Sequence, residues 1–186
     1  MKIITYFCPD QEVNCNYIME PLVSIIMGSV SDMAVMEKTA QVLNDFKIPF
    51  EINALSAHRT PGEVEKFAKG AAGRGIKVII AAAGMAAHLP GVIAGMTPVP
   101  VIGVPINASL DGLDSIFSIL QMPPGVPVAT VGVNASQNAG ILAAQIIGTG
   151  NEEVMKEVIK FREGLKKKIV DANEEMKKIK FPYKTN

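Results

Sequence analysis

Short apolar runs alternate with segments of helical periodicity along almost the whole chain, and that alternation constrains the fold more than any single motif. Residues 49–55 form a mixed apolar run with one charge, Glu51, and residues 22–27, 78–82, 99–104 and 126–131 are uncharged and rich in Val and Ile. Runs of that kind suit parallel strands buried on both faces. Between them, residues 32–46 place Met33, Met36, Ala40 and Leu43 at helical spacing. Pro61 opens a second helix at a position where a missing N–H costs nothing, and Gly73 and Gly75 end it near residue 72. Further helices are predicted over 113–121, stopped by Pro123 and Pro124, and over 137–147, which is made largely of small residues. A last helix over 152–178 aligns Val154, Val158, Phe161, Leu165, Ile169, Ala172 and Met176 on one stripe. Repeated right-handed crossovers then give an α/β fold of three layers: a doubly wound, five-stranded parallel sheet of flavodoxin-like order 2-1-3-4-5, with a long C-terminal helix.

Charge is distributed very unevenly. Lys plus Arg and Asp plus Glu both number 18, so the formal net charge is zero. The basic excess of a protein that binds nucleic acid by counterion release is absent. From 78 to 151 the only formal charges are Asp111 and Asp114, with His88 as the other titratable group. Gly and Pro cut this neutral stretch into pieces far shorter than the roughly 20 apolar residues of a membrane span, so no membrane is expected. The stretch reads instead as sheet core and subunit contact. The last helix is longer than one small sheet needs, and its stripe is expected to meet a neighbouring subunit as well.

Residues 1–20 differ in texture from the rest and read as a leader. They hold both cysteines, Cys8 and Cys15, with no His nearby; that is neither a zinc framework nor a disulfide scaffold. With no apolar signal segment in view, a reducing cytoplasm is the expected location. Met19 reads as a second start, and deletion of residues 1–18 is expected to leave activity intact. Residues 21–150 would then form the catalytic domain, and 151–186 the contact helix and tail.

In a sheet of this order, ligands bind beyond the carboxyl ends of the strands, where the loops after strands one, two and three are neighbours. Those loops are the most chemically loaded in the chain. The first, 28–32, offers Gly28 for close backbone approach, the Ser29 hydroxyl and the amides of a helix start. It is neither a Walker loop nor G-x-G-x-x-G. Ser31 or Asp32 would equally serve as a helix cap. The second, 56–61, sets His58 beside Arg59, with donors from Ser56 and Thr60. Arg grips phosphate bidentately, and imidazole moves protons near neutral pH. The third, 83–91, is rich in Gly and Ala and ends beside His88; small residues let backbone amides reach a ligand, or simply pack tightly. Asp114 reads as a helix cap, and Lys166, Lys167 and Lys168 as a solvated helix face.

Taken together, the segments IIMGSVSD, SAHRTP, AAHLPG, PVIGVP, LDGLDSIFSILQMPPGVPVAT and QNAGILAAQI resemble the N5-carboxyaminoimidazole ribonucleotide mutases, the branch of the phosphoribosylaminoimidazole carboxylase catalytic-subunit family that acts in purine biosynthesis. The likeness covers about residues 22–150. It implies transfer of a carboxylate from the exocyclic nitrogen of an aminoimidazole ribonucleotide to ring carbon four, with no metal or other cofactor. It further implies His58 and His88 as catalytic residues. Ser29, Ser31, Asp32, Ser56 and Arg59, with Ala83, Gly84, Ala86 and Ala87, would bind the ribonucleotide. Ser29 and Arg59 suit its phosphate, Asp32 its ribose hydroxyls, and the small third loop the imidazole and migrating CO2. Met85 stands where the family usually has a second Gly. The family's direct carboxylase branch carries Lys at the Arg59 position and lacks AHLPG. The resemblance also implies a homo-octamer, and a functional coupling to an ATP-dependent synthetase that makes the substrate. Two other readings of the fold are a non-catalytic phosphosugar-binding protein and a flavin carrier. The absence of Trp argues against the second.

Overall fold

The computed structural model describes residues 19–186; the expected dispensability of the leader and its two cysteines falls outside them. The strands are β1 (Val23–Met27), β2 (Phe50–Ala54), β3 (Val78–Gly84), β4 (Val101–Ile106) and β5 (Ala129–Thr130). They form one parallel sheet in the order β2-β1-β3-β4-β5. The helices are α1 (Met33–Asp45), α2 (Pro61–Ala71), α3 (Leu89–Ala94), α4 (Leu113–Leu120), α5 (Ser136–Gly148) and α6 (Glu152–Lys178).

The period-two alternation of strand side chains divides the core between the two faces of the sheet. Val23, Ile25, Met27, Val78, Ile80 and Ala82 point to one face and pack under α1 and α5. Ile26, Ile79, Ala81 and Ala83 point to the other, under α2, α3 and α4. The small residues predicted over 137–147 have a packing reason. Ala139, Gly140, Ala143 and Ala144 are the face of α5 that lies against α1 and the sheet. A Cβ on Gly140 would stand 3.1 Å from Val42.

Three expectations need correction. The third loop is shorter than 83–91: β3 runs on through Gly84, and Leu89 already starts α3, with Pro90 in its first turn. Pro90 is accommodated there because a first-turn N–H has no intrahelical partner. The strand expected over 126–131 pairs only through Ala129 and Thr130. Pro127 has no N–H to give a ladder, which is tolerated at a sheet edge. In the first loop, a 3-10 turn (Val30–Asp32) precedes α1, and Ser29 caps it by accepting from the Ser31 amide at 3.3 Å. Asp32 occupies the cap position of α1 without making a side-chain cap bond.

The last helix matches its predicted span. Asn151 Oδ1 accepts from the amides of Glu153 and Val154 at 3.1 Å each, closing the N-terminus. Val154 and Val158 are buried, and Phe161 meets Phe46 edge to face at 5.6 Å. Beyond that point the stripe leaves the body: Leu165 is 47% exposed, Ile169 72% and Met176 50%.

Candidate active site

Parallel strands bring the loops after β1, β2 and β3 to one edge of the sheet, and the cleft they enclose is about 370 Å3. That is room for a small phosphorylated metabolite. The first loop turns sharply, with the Asp32 amide donating to Ser29 O at 3.1 Å. The turn carries the Asp32 carboxylate to the cleft wall, where Ser31 Oγ donates to it at 3.4 Å. Burial pushes the Asp32 carboxyl above the ordinary range; hydrogen bonds from the Ser31 side chain and the Ser29 backbone oppose that rise.

The second loop is closed by Thr60. Its hydroxyl accepts from the Ser56 amide at 2.9 Å and donates to Ser56 O at 3.1 Å, while its own amide donates to Ser56 O at 2.9 Å. The Ser56 hydroxyl in turn accepts from the Arg59 amide and from Nε at 3.2 and 3.3 Å. Arg59 Nη2 reaches across to donate to Gly28 O at 2.6 Å. The guanidinium therefore ties the second loop to the first, and among the described residues Nη1 has no hydrogen-bond partner. Within that closed loop His58 projects toward the third.

There it meets the other histidine. His58 Nε2 and His88 Nδ1 are 2.8 Å apart, with the rings nearly perpendicular at 83° and their centroids 5.0 Å apart. Two imidazoles in hydrogen-bond contact hold one proton between the touching nitrogens. The third loop is equally constrained. A Cβ on Gly84 would lie 2.9 Å from Ala108 Cβ, so a larger residue there would push the two loops apart. The His88 amide donates to Ala86 O at 2.7 Å in a tight turn.

The cleft is lined by Ser29, Ser31, Asp32, Ser56, His58, Arg59, Ala83, Gly84, Ala86, Ala87 and His88, whereas Thr60, also named from the sequence as a donor, closes the second loop outside the lining. Gly28, Ala57, Met85, Leu89 and Ala108 also line it. Ala108 follows β4 and has no chemical signature; only the strand order, which sets β4 beside β3, brings it here. Among the described residues, no three His, Cys, Asp or Glu side chains come close enough together to hold a metal ion. Asp111 and Asp114 lie outside the lining. Asp114 accepts from the Ser109 hydroxyl and, at 2.8 Å, from the Ser115 amide, as a helix-start carboxylate does.

The comparisons with known proteins agree on this region. A family model described as AIR carboxylase matches residues 22–168. The N5-carboxyaminoimidazole ribonucleotide mutase of Thermotoga maritima is 52% identical over 160 residues, covering 86% of this chain and 94% of that protein. The phosphoribosylaminoimidazole carboxylase of Candida glabrata is 55% identical over 150 residues, but the matched part spans only 26% of that protein's length. Among solved structures, Treponema denticola PurE superposes with a TM-score of 0.76 at 34% identity, covering 85% of this chain and 99% of that one.

Proposed function

The chain belongs to the AIR carboxylase family, and we propose that it interconverts N5-carboxyaminoimidazole ribonucleotide and 4-carboxy-5-aminoimidazole ribonucleotide, an isomerase step of purine biosynthesis. The observation that carries the reading is the His58–His88 contact at 2.8 Å, set at the mouth of a cleft whose charged side chains are Arg59 and Asp32. Similarity to a mutase across 94% of its length supports the rearrangement over direct carboxylation.

The phosphate lies against Ser29 and the free donors of Arg59, and Asp32 takes the ribose hydroxyls, since a carboxylate would repel the phosphate. Ser31 and Ser56 hold those groups in place, and the backbone from Ala83 to Ala87 faces the imidazole. His58 gives a proton to the exocyclic nitrogen as its bond to the carboxylate carbon breaks and the bonding pair returns to nitrogen. Aminoimidazole ribonucleotide and CO2 result. Ring carbon four attacks the CO2 carbon, and the proton that carbon four loses returns to His58. Atoms and charge balance, and one imidazole serves both steps. His88, sharing a proton at Nδ1, lets His58 gain or lose one without turning its ring. Holding CO2 against carbon four makes the second step effectively unimolecular.

Residues 21–150 carry this chemistry and 151–186 the subunit contact. The assembly is a homo-octamer, supported by the neutral stretch from 78 to 151 and by the apolar stripe that α6 leaves uncovered. Its substrate comes from an ATP-dependent synthetase that carboxylates the amine. No cofactor enters this scheme. Among the described residues no helix is long and apolar enough to cross a membrane, and the site of action is the cytoplasm.

The test offers each ribonucleotide without ATP: the N-carboxylated one alone, and the uncarboxylated one with bicarbonate. Turnover of the first only is expected. His58→Asn should lower kcat by about 10²–10⁴-fold, the usual worth of a positioned acid/base. Near-normal turnover by that variant would overturn the mechanism.

A further inference from the structure

Thr60 occupies the N-cap of α2 and makes no side-chain cap bond there. A threonine at that position ordinarily turns its hydroxyl onto the free amides of its own helix. Here the hydroxyl is committed elsewhere: it accepts from the Ser56 amide at 2.9 Å and donates to Ser56 O at 3.1 Å. A hydroxyl has a single proton to donate, so Thr60 keeps no donor for a ligand, and it stands outside the cleft lining. Its carbonyl meanwhile accepts from the Val64 amide at 3.1 Å, the first bond of α2. Val64 is fully buried, so that helix is anchored in the core. Thr60 thus fastens Ser56 to a fixed element. Ser56 passes the constraint on, because its own hydroxyl accepts from the Arg59 amide and from Nε. His58 lies inside the same turn, between Ser56 and Arg59. Its 2.8 Å contact with His88 joins two separate loops, and it holds only while each loop keeps its place.

We infer that Thr60 is a positioning residue of the proposed reaction: through Ser56 it fixes the turn that sets His58 against His88 and Arg59 against the first loop, without touching substrate. The inference rests on the proton transfers assigned to His58 above. An acid/base group works only from within hydrogen-bond reach of the atoms it serves. Without the Thr60 hydroxyl the Ser56 amide loses its partner inside the turn. Residues 57–59 are then free to shift as a unit, and the His58 ring moves with them.

The test combines kinetics with a readout of the rings themselves. The chain has two histidines, His58 and His88, so protein made with isotope-labelled histidine shows their ring resonances and no others. Thr60→Val removes the hydroxyl and keeps the branched shape. Its kcat on the N-carboxylated ribonucleotide is expected to fall about tenfold to a hundredfold, the range for a misplaced catalytic group. Both sets of ring resonances should shift. The melting temperature should fall by no more than about 4 °C, the effect of one hydrogen bond in a chain of this size. Thr60→Ser keeps both bonds and should restore turnover and spectrum. In a His58→Asn background Thr60→Val should cost far less than in the parent, because losses that act through one group do not add. Near-parent turnover by Thr60→Val overturns the inference. So do unshifted ring resonances, an undiminished loss in the His58→Asn background, or failure of Thr60→Ser to restore. A larger drop in melting temperature would make Thr60 a support of the fold instead. If the parent makes no 4-carboxylated product, the proposed reaction fails, and the ring resonances of Thr60→Val still decide whether Thr60 places His58.

Discussion

The carboxyl edge of the sheet and the outer half of α6 both expose groups that the rest of the molecule hides, but they do so differently. At the sheet edge the exposed groups converge. His58 meets His88, Arg59 spans two loops, and the backbone at Met85 is strained. Along α6 nothing converges. Leu165, Ile169 and Met176 follow one another at regular helical spacing on an unstrained helix. Around them lie exposed surface pairs such as Lys177 with Glu174 and Lys178 with Glu175, which contribute little to stability. Convergence with strain marks a place where chemistry is done. A regular apolar stripe without either is the surface that the proposed subunit contact would cover.

Substitutions can break that comparison. The largest effect is expected at His58. His58→Asn should lose most turnover with a nearly unchanged melting temperature, because the exposed ring touches His88 but belongs to neither core cluster; a large drop in melting temperature would make it structural. Ile169→Glu should do the converse. The apparent mass should fall in analytical ultracentrifugation while the chain's own stability stays within about 0.5 kcal/mol, as for surface changes generally. An unchanged mass would show that the stripe is not a contact.

The smallest effect belongs to Asp32, which sits in the site but bears on stability. Burial raises its carboxyl in the folded chain. Its contribution to stability is therefore fully present below the unfolded value of about 3.9 and is lost as pH rises through the folded one. At neutral pH the ionised carboxylate costs stability. Asp32→Asn should melt slightly above the parent at pH 7, with the gap narrowing toward pH 4.5. Its KM should rise about tenfold, the loss of one charge-assisted hydrogen bond. A lower melting temperature at pH 7 would contradict the sign of the shift.

Much of the fold was legible because strands buried on both faces must be apolar throughout. That made β1, β3 and β4 plain as Val- and Ile-rich runs. The edge strand β5 was overestimated because Val126, Val128 and Val131 look like a strand, whereas pairing depends on a neighbour and on N–H groups that Pro127 cannot supply. Helix α3 was missed because its six residues are too few to show a period and include Pro90 and Gly91. In the site, the residue types were legible since histidine, arginine and serine announce themselves. Ala108 was not, because an alanine carries no signal of its own.

Local composition and periodicity were enough for the alternation of strands and helices, the neutral interior and the two loops in which both histidines lie. It took the folded chain to set His58 Nε2 against His88 Nδ1, to fasten Arg59 to the Gly28 carbonyl, to hold Met85 at positive φ in the cleft wall, and to fix where α6 leaves the body. Each of these is a contact between segments far apart in the chain. Its geometry is set by strand order and packing, which no local pattern records.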